Sequence, residues 1–354
     1  MGMKTIRVLI IDDSALIRGV LTEILPDDPE IEVVGAAPDP FIAREKIKTL
    51  KPDVLTLDVE MPKMDGLTFL KKLMAVRPMP VVMVSSLTEQ GAATTMQALE
   101  SGAVDCVTKP SGDIQHGLTE LAEQITSKVK IAANATVKKR TPPVDCGDRI
   151  KVLAAEPAMI KTTDSIIAIG ASTGGTEALR ELLEVLPPNT PPILMTQHLP
   201  ERFTKIFADR LNELCQINVK EAQEGDSVIP GQALLAPGNF HMELRRSGVR
   251  YYVTLNQDPQ VNRHRPAVDP MFQSVAKLAR GNSVGVILTG MGNDGAAGML
   301  EMKKAGAFNL AQSEASCVVF GMPKEAIKAG GIDKILPLSD IPSAILAHLK
   351  MVSK

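Results

Sequence analysis

Tryptophan is absent from this 354-residue chain and aromatic residues make up only 3% of it, so aliphatic and thioether side chains, including 17 Met, must fill its cores. Cysteine is scarce: Cys106, Cys146, Cys215 and Cys317 stand 40, 69 and 102 positions apart. Such spacing fits neither a paired-cysteine metal site nor a small disulfide scaffold, and reduced thiols are expected. No apolar run approaches the roughly 20 residues needed to cross a bilayer. The opening MGMKTIRVLIIDDS holds too short a run for a secretory signal, so a cytoplasmic protein without membrane insertion is expected. An excess of one charge is also missing. Lys and Arg number 39 against 41 Asp and Glu, a net charge of −2 that offers no global basic surface to nucleic acid or anionic lipid.

What is present is an ordinary globular balance, 44% hydrophobic and 23% charged, in a chain long enough for two domains at roughly 100 to 200 residues each. The charge is unevenly spread. Residues 1–125 carry 12 basic and 19 acidic side chains, a net −7; residues 126–164 are net +4, and residues 165–354 net +1. Between the two ends, KKRTPPVDCGDR sits in a stretch without clear periodicity, the signature of a linker. The expected organisation is therefore a first domain over 1–134, a linker over 135–163 and a second domain over 164–354.

In the first domain the aliphatic runs RVLIID, EVVGAA, VLTLD, PVVMVSS and DCVTK alternate with amphipathic segments of helix length. Runs buried on both faces and alternating with helices predict a five-stranded parallel sheet covered on both sides. Chemistry in such sheets gathers at the carboxyl ends of the strands. Asp12 and Asp13 close the first strand, Asp58 the third, Ser85 the fourth and Lys109 the fifth, so three carboxylates, a hydroxyl and an ammonium converge on one rim. Clustered carboxylates repel unless a cation lies among them, and an all-oxygen site suits Mg²⁺ held by Asp12, Asp13 and Asp58. Asp58 then attacks a phosphoryl donor, with Mg²⁺ and Lys109 screening the oxygens and Ser85 donating a hydrogen bond to the product. The plainer alternative makes Asp12 and Asp13 caps for a helix starting at Ser14, and Lys109 a solvated loop residue. Taken together, IDDS, LDVEMPKMDGL and VTKP resemble the receiver domain of response regulators. That resemblance implies phosphorylation of Asp58 by a sensor histidine kinase and a switch read through Ser85. One position departs from the family pattern: Cys106 stands where the fifth strand usually carries an aromatic switch residue.

The second domain opens with SIIAIG, ASTGGT and EALRELLEVL, a strand, a glycine-rich turn and an amphipathic helix. Ser172 lies in the turn, and Gly170 to Gly174 matches the nucleophile-elbow pattern; capping the helix or cradling a phosphate are the alternatives. No Walker lysine accompanies the turn. A serine hydroxyl needs a positioned imidazole. His198, after PPILMTQ, stands at a strand end on the same rim, whereas His241 and His264 sit in polar loops and His116 and His348 in helices. Asp294, in the turn of SVGVILTGMGNDGAAGML, is the carboxylate to orient the imidazole, with helix capping as its alternative role. The order Ser172, His198, Asp294 differs from the serine, acid, histidine order of α/β-hydrolases.

IGASTGGTEAL, QHLP, LAPGN, HRPAVDPMF and LTGMGNDGAAGM resemble the catalytic domain of chemotaxis protein-glutamate methylesterases, over roughly residues 164–350. The resemblance implies an α/β, doubly wound, mostly parallel esterase domain behind a flavodoxin-like receiver. It further implies hydrolysis of glutamate methyl esters and deamidation of glutamines on chemoreceptor cytoplasmic domains, with no cofactor for the esterase chemistry. Ser172 is then the nucleophile, His198 the base and Asp294 its partner. Backbone amides near Thr173 and Met291 hold the oxyanion, and Arg265 with Arg263 lines the substrate cleft; the alternative is that both arginines only cap or pair locally. The unphosphorylated receiver is expected to inhibit the esterase, and the chain to be a monomer. Two other readings stand beside it on residues alone: a DNA-binding output module, which needs a basic helical reader, and a nucleotide-binding module using ASTGGT.

Overall fold

The computed structural model describes residues 5–85, 88–109, 114–137 and 165–352. The chain forms two compact units, one within residues 1–146 and one within 147–354. Most of the stretch read as a linker lies outside the described residues, as does the side chain of His116.

The first unit runs β1 (Ile6–Ile11), α1 (Ala15–Ile24), β2 (Ile31–Ala37), α2 (Pro40–Leu50), β3 (Val54–Asp58), α3 (Gly66–Val76), β4 (Val81–Ser85), α4 (Glu89–Glu100), β5 (Asp105–Thr108) and α5 (Ile114–Ala133). Its five strands are all parallel, in the order β2-β1-β3-β4-β5. β3 and β4 are buried at every position, as runs such as VVMVS require when helices cover both faces. The strand order reverses direction between β1 and β3, which opens a crevice beyond their carboxyl ends. Asp12, Asp13 and Asp58 lie there.

The second unit runs β6 (Ile166–Ala171), α6 (Gly175–Leu183), β7 (Ile193–Gln197), α7 (Phe203–Leu214), β8 (Asn218–Glu221), β9 (Gln232–Leu235), β10 (His241–Ser247), β11 (Arg250–Asn256), α8 (Val268–Leu278), β12 (Ser283–Ile287), α9 (Ala296–Lys304), β13 (Phe308–Gln312), α10 (Met322–Lys328), β14 (Lys334–Leu336) and α11 (Ile341–Val352). Seven strands make a parallel sheet in the order β14-β13-β12-β6-β7-β9-β8, and β10 and β11 pair separately as an antiparallel hairpin. The chain starts at the centre of the sheet, builds outward through β7, then returns to the other side of β6 to lay down β12. β6 and β12 are therefore the neighbours at the switch point.

Packing fixes the helices that frame that crevice. α6 buries Ala178, Leu179, Leu182 and Leu183 on one face, and each leucine contributes about 2 kcal/mol. α8 inserts Met271, Phe272 and Val275, all fully buried, into a core shared with Met299 and Met302 of α9. Methionine and phenylalanine fill the space that a tryptophan-free composition leaves to flexible side chains.

Candidate active site

Ser172 follows β6 directly and His198 follows β7, so adjacent strands deliver them side by side. The turn at Ser172 passes through Gly174 at φ 76°, and a Cβ there would lie 2.6 Å from Val318, so only glycine suits the position. The Ser172 N–H donates to the Thr289 carbonyl at 3.0 Å and its carbonyl accepts from Gly175 N–H at 2.6 Å. Asp294 sits beyond β12, after the GMGN turn. The three side chains, 26 and 96 positions apart, meet: His198 Nδ1 is 3.1 Å from Ser172 Oγ, and His198 Nε2 is 2.7 Å from Asp294 Oδ2. The ring is wired in reverse of the usual serine-protease triad, where Nε2 faces the serine. With the proton on Nε2, Nδ1 presents its lone pair to the hydroxyl.

Asp294 is a cap as well, though not of the helix that follows it. Its Oδ2 accepts from Val268 N–H at 2.7 Å and its Oδ1 from Asp269 N–H at 3.1 Å, the first amides of α8. Asn262 Nδ2 donates to Asp294 Oδ1 and to Asp269 Oδ2, at 3.0 Å each. Burial alone would push the Asp294 carboxyl up. His198, by hydrogen bond and charge, with Val268 N–H and Asn262, instead holds it down at about 2. Its neighbour Asp269 is pushed up, first by burial and then by the Asp294 charge, against the Gly298 N–H and Asn262.

Asn262 belongs to a two-residue hairpin that sequence reasoning passed over. Val261 and His264 exchange backbone hydrogen bonds at 3.1 and 2.9 Å, and the central residues Asn262 and Arg263 take φ 51° and 66°. Asparagine in a two-residue turn was the available signal. The hairpin lays His264 flat on His198, ring centroids 3.7 Å apart and planes within 9°. His264, read as a polar-loop residue, thus belongs to the site. Ligand atoms of His198, His264 and Asp294 lie within 4.8 Å of one another, but both His198 nitrogens are taken up, by Ser172 Oγ and Asp294 Oδ2, which leaves that ring no lone pair for a cation. Thr289 was also missed: its hydroxyl donates to the Thr173 carbonyl at 3.0 Å and accepts from Val318 and Val319 N–H at 3.1 and 3.0 Å.

For Arg265 the structure shows the local pairing that was the alternative to a substrate contact. Its guanidinium donates to Asn239 Oδ1 at 2.8 and 3.0 Å and to the carbonyls of Gln257 and Asp258 at 2.9 and 3.1 Å, tying loops together. Local carbonyls near an arginine absorb its donors, which sequence spacing does not reveal. Arg263 remains exposed, as does Met291 at 44%. His241 is buried, its ring meeting the Pro259 carbonyl and the Ala267 N–H, and His348 stacks on Phe308.

The acidic rim of the first unit is assembled as its strand ends dictate. Oxygens of Asp12, Asp13 and Asp58 lie within 4.8 Å of one another. Lys109 Nζ is 2.9 Å from Asp58 Oδ2 and 3.0 Å from Asp12 Oδ2. Asp12 Oδ1 accepts from Ser14 N–H at 2.9 Å, while the hydroxyl of Ser14 caps α1. Asp12 Oδ2 is buried with the Lys109 ammonium beside it, and three clustered carboxylates against that one ammonium leave an excess of negative charge that fits a hard divalent cation. Burial, and then the charge of Asp12, raises the Asp58 carboxyl to about 6 despite Lys109. Burial works against the Lys109 ammonium, but Asp58 and Asp12 hold it above the ordinary lysine value. Ser85 lies at the end of β4, as expected. Among the described residues its hydroxyl is bound to α4, donating to the Gly91 carbonyl at 3.2 Å and accepting from Thr95 Oγ1 at 2.7 Å. Cys106 is buried on β5, and burial pushes its thiol up to about 12.

Comparison with known proteins gives these two sites a family. Residues 167–345 match the CheB methylesterase family and residues 8–121 the response regulator receiver domain. The chain is 60% identical over 341 residues to the protein-glutamate methylesterase/protein-glutamine glutaminase of Thiobacillus denitrificans, covering 96% of each chain. It is 56% identical to protein-glutamate methylesterase/protein-glutamine glutaminase 1 of Geobacter metallireducens, covering 99% of this chain and 98% of that one. The crystal structure of the Thermotoga maritima CheB methylesterase catalytic domain superposes with a TM-score of 0.51 at 39% identity, covering 52% of this chain and 98% of that one. Among the described residues no helix is long and apolar enough to cross a membrane. The chain belongs to the protein-glutamate methylesterase/protein-glutamine glutaminase family, with a response regulator receiver domain ahead of a CheB methylesterase domain.

Proposed function

We propose that Ser172, His198 and Asp294 form the catalytic triad that hydrolyses glutamate methyl esters and deamidates glutamines on chemoreceptor cytoplasmic domains. The observation carrying this reading is one imidazole bridging Ser172 Oγ at 3.1 Å and Asp294 at 2.7 Å. Ser172 Oγ attacks the side-chain carbonyl carbon while His198 Nδ1 takes its proton, and Asp294, held ionised, stabilises the imidazolium. The tetrahedral intermediate collapses, the bond to methoxide breaks, and His198 returns the proton so that methanol leaves; from glutamine the leaving group is ammonia. Water, deprotonated by His198, then attacks the acyl carbon, the bond from that carbon to Oγ breaks, and His198 returns the proton to Oγ, which frees glutamate and restores Ser172. The oxyanion is assigned to the backbone amides near Thr173 and Met291, which follow or flank the two glycine-rich turns.

Control is assigned to the first unit, taken as residues 1–134 and joined by the 135–163 linker to a catalytic unit over 164–354. Asp12, Asp13 and Asp58 would hold Mg²⁺, which on binding neutralises the carboxylates and the incoming phosphoryl oxygens. Asp58 accepts the phosphoryl group from the chemotaxis sensor kinase, and Lys109 pairs with the charge that results. Ser85 must leave Thr95 to reach that product. Unphosphorylated, the receiver inhibits the esterase; the linker of about 30 residues has the reach for this. The fragment 150–354 is therefore expected to release methanol from methylated receptor membranes faster than the unphosphorylated full chain, and a phosphodonor to close the gap. Equal rates for fragment and unphosphorylated full chain would remove the inhibitory role.

The Asp58 carboxyl also sets a stability effect with a definite sign. Its folded value of about 6 exceeds the ordinary 3.8, so the ionised form is disfavoured by folding and the receiver loses stability as the pH rises from about 4 to 6. Asp58→Asn is expected to stabilise the receiver by about 2 kcal/mol at pH 7.5 without divalent cations. Urea unfolding with and without Mg²⁺ checks this: Mg²⁺ should stabilise the wild type more than the variant. A variant no more stable than the wild type contradicts it.

A further inference from the structure

Gln197 ends β7, next to His198, and is 3% exposed. Its side-chain Nε2 donates to the carbonyl of Ser172 at 2.9 Å and reaches the carbonyl of His198 at 3.5 Å. One amide therefore touches the backbone of both residues that must exchange a proton, although 26 positions separate them. These two carbonyls fix which end of the amide faces them, and leave Oε1 buried with no hydrogen-bond partner. Against Oε1 lies the first residue of α6: a Cβ on Gly175 would stand 2.1 Å from it and 2.7 Å from the Ala171 Cβ. The amide is thus wedged between the nucleophile turn and the helix start. A buried acceptor left unsatisfied is a cost to folding, so stability alone does not account for an amide here; an apolar side chain of the same length would satisfy the packing without that cost.

Resting on the reading of Ser172 as nucleophile, we infer that Gln197 is a positioning residue for it. Its amide pins the Ser172 carbonyl, and so the direction in which Oγ leaves the turn toward His198 Nδ1. Thr289 holds the N–H of the same residue and Gly175 shares its carbonyl, so Gln197 is the side chain that closes the frame from the His198 side. Displacing a reacting group by a fraction of an ångström slows chemistry without weakening substrate binding, which gives the role its signature in kcat.

The test uses the full chain, activated with a small phosphodonor, and methylated receptor membranes. Gln197→Met removes the donor and keeps the length; Gln197→Glu keeps the shape and faces the two carbonyls with oxygen. Both are expected to lower kcat about 10- to 100-fold with KM within about twofold. The rate at which a fluorophosphonate labels Ser172 should fall in parallel, with rates normalised to folded protein at a temperature below both unfolding transitions. A Gln197→Met kcat within twofold of wild type, a KM effect alone, or a loss no larger than the loss of folded protein overturns the inference. Ser172→Ala separates this from failure of the underlying reading: if it still releases methanol, the nucleophile assignment falls, whereas a silent Ser172→Ala beside a fully active Gln197→Met removes Gln197 only.

Discussion

Ser172→Ala is expected to lower kcat/KM for methanol release on the order of 10⁴-fold or more, leaving only what substrate binding and the oxyanion amides supply. His198→Ala should fall by a similar factor, since without the imidazole nothing takes the proton from Oγ at 3.1 Å. The two losses should not multiply in the double variant, because the pair acts as one unit. His264→Ala gives the contrast that distinguishes the two stacked rings. It is stacked on His198, whose nitrogens face Ser172 and Asp294, so losing the stack is expected to cost roughly 2- to 12-fold. Methanol release from methylated receptor membranes measures all three. A His264 variant as inactive as the His198 variant would exchange their roles.

Asp294→Ala is expected to damage both chemistry and fold. In catalysis it leaves the His198 tautomer and the imidazolium unsupported, and kcat should fall about 10⁴-fold. In the folded state it leaves the N–H groups of Val268 and Asp269 at the start of α8 without this acceptor, and reduces the Asn262 amide to its bond with Asp269. Removing a buried charge that satisfies several donors costs on the order of 3 kcal/mol. The pH dependence has a definite sign. The carboxyl is depressed to about 2 from 3.8, so its ionised contribution to stability is complete above about pH 4 and is lost as the pH falls through 2. Urea denaturation of wild type and variant at pH 7 and pH 3 should therefore show a gap that narrows only at the lower value. Equal stability at pH 7 would mean that the caps on α8 find other partners.

The parallel sheets and their rims were legible because the sequence alternates fully aliphatic runs with amphipathic ones, and because each chemistry-bearing residue directly follows such a run or its glycine-rich turn. That pattern is local to each residue and needs no knowledge of the partner, which is why Ser172, His198 and Asp294 can be proposed separately and then placed on one edge. What escaped was set by tertiary neighbours. Asp294 looks like a cap for α9, yet its oxygens face α8, whose first amides come from 26 residues earlier. Asn262 carries no periodicity, only a turn preference, and its contacts with Asp269 and Asp294 follow from the hairpin being folded over the rim. For Arg265 a substrate contact and local pairing were both open on sequence, and the partners that engage it, Asn239 and the carbonyls of Gln257 and Asp258, come from loops that spacing does not bring together. Ser85 stands at the right strand end, but which way a hydroxyl turns depends on Thr95 across the strand-helix interface.

The central claim is that Ser172 is the residue that bonds to substrate. Reacting the phosphodonor-activated full chain with a fluorophosphonate and mapping the adduct by peptide mass spectrometry tests it directly. One phosphonyl group on Ser172, absent from Ser172→Ala and strongly slowed in His198→Ala, is the predicted result. Modification at another residue with Ser172 untouched and methanol release abolished would contradict it.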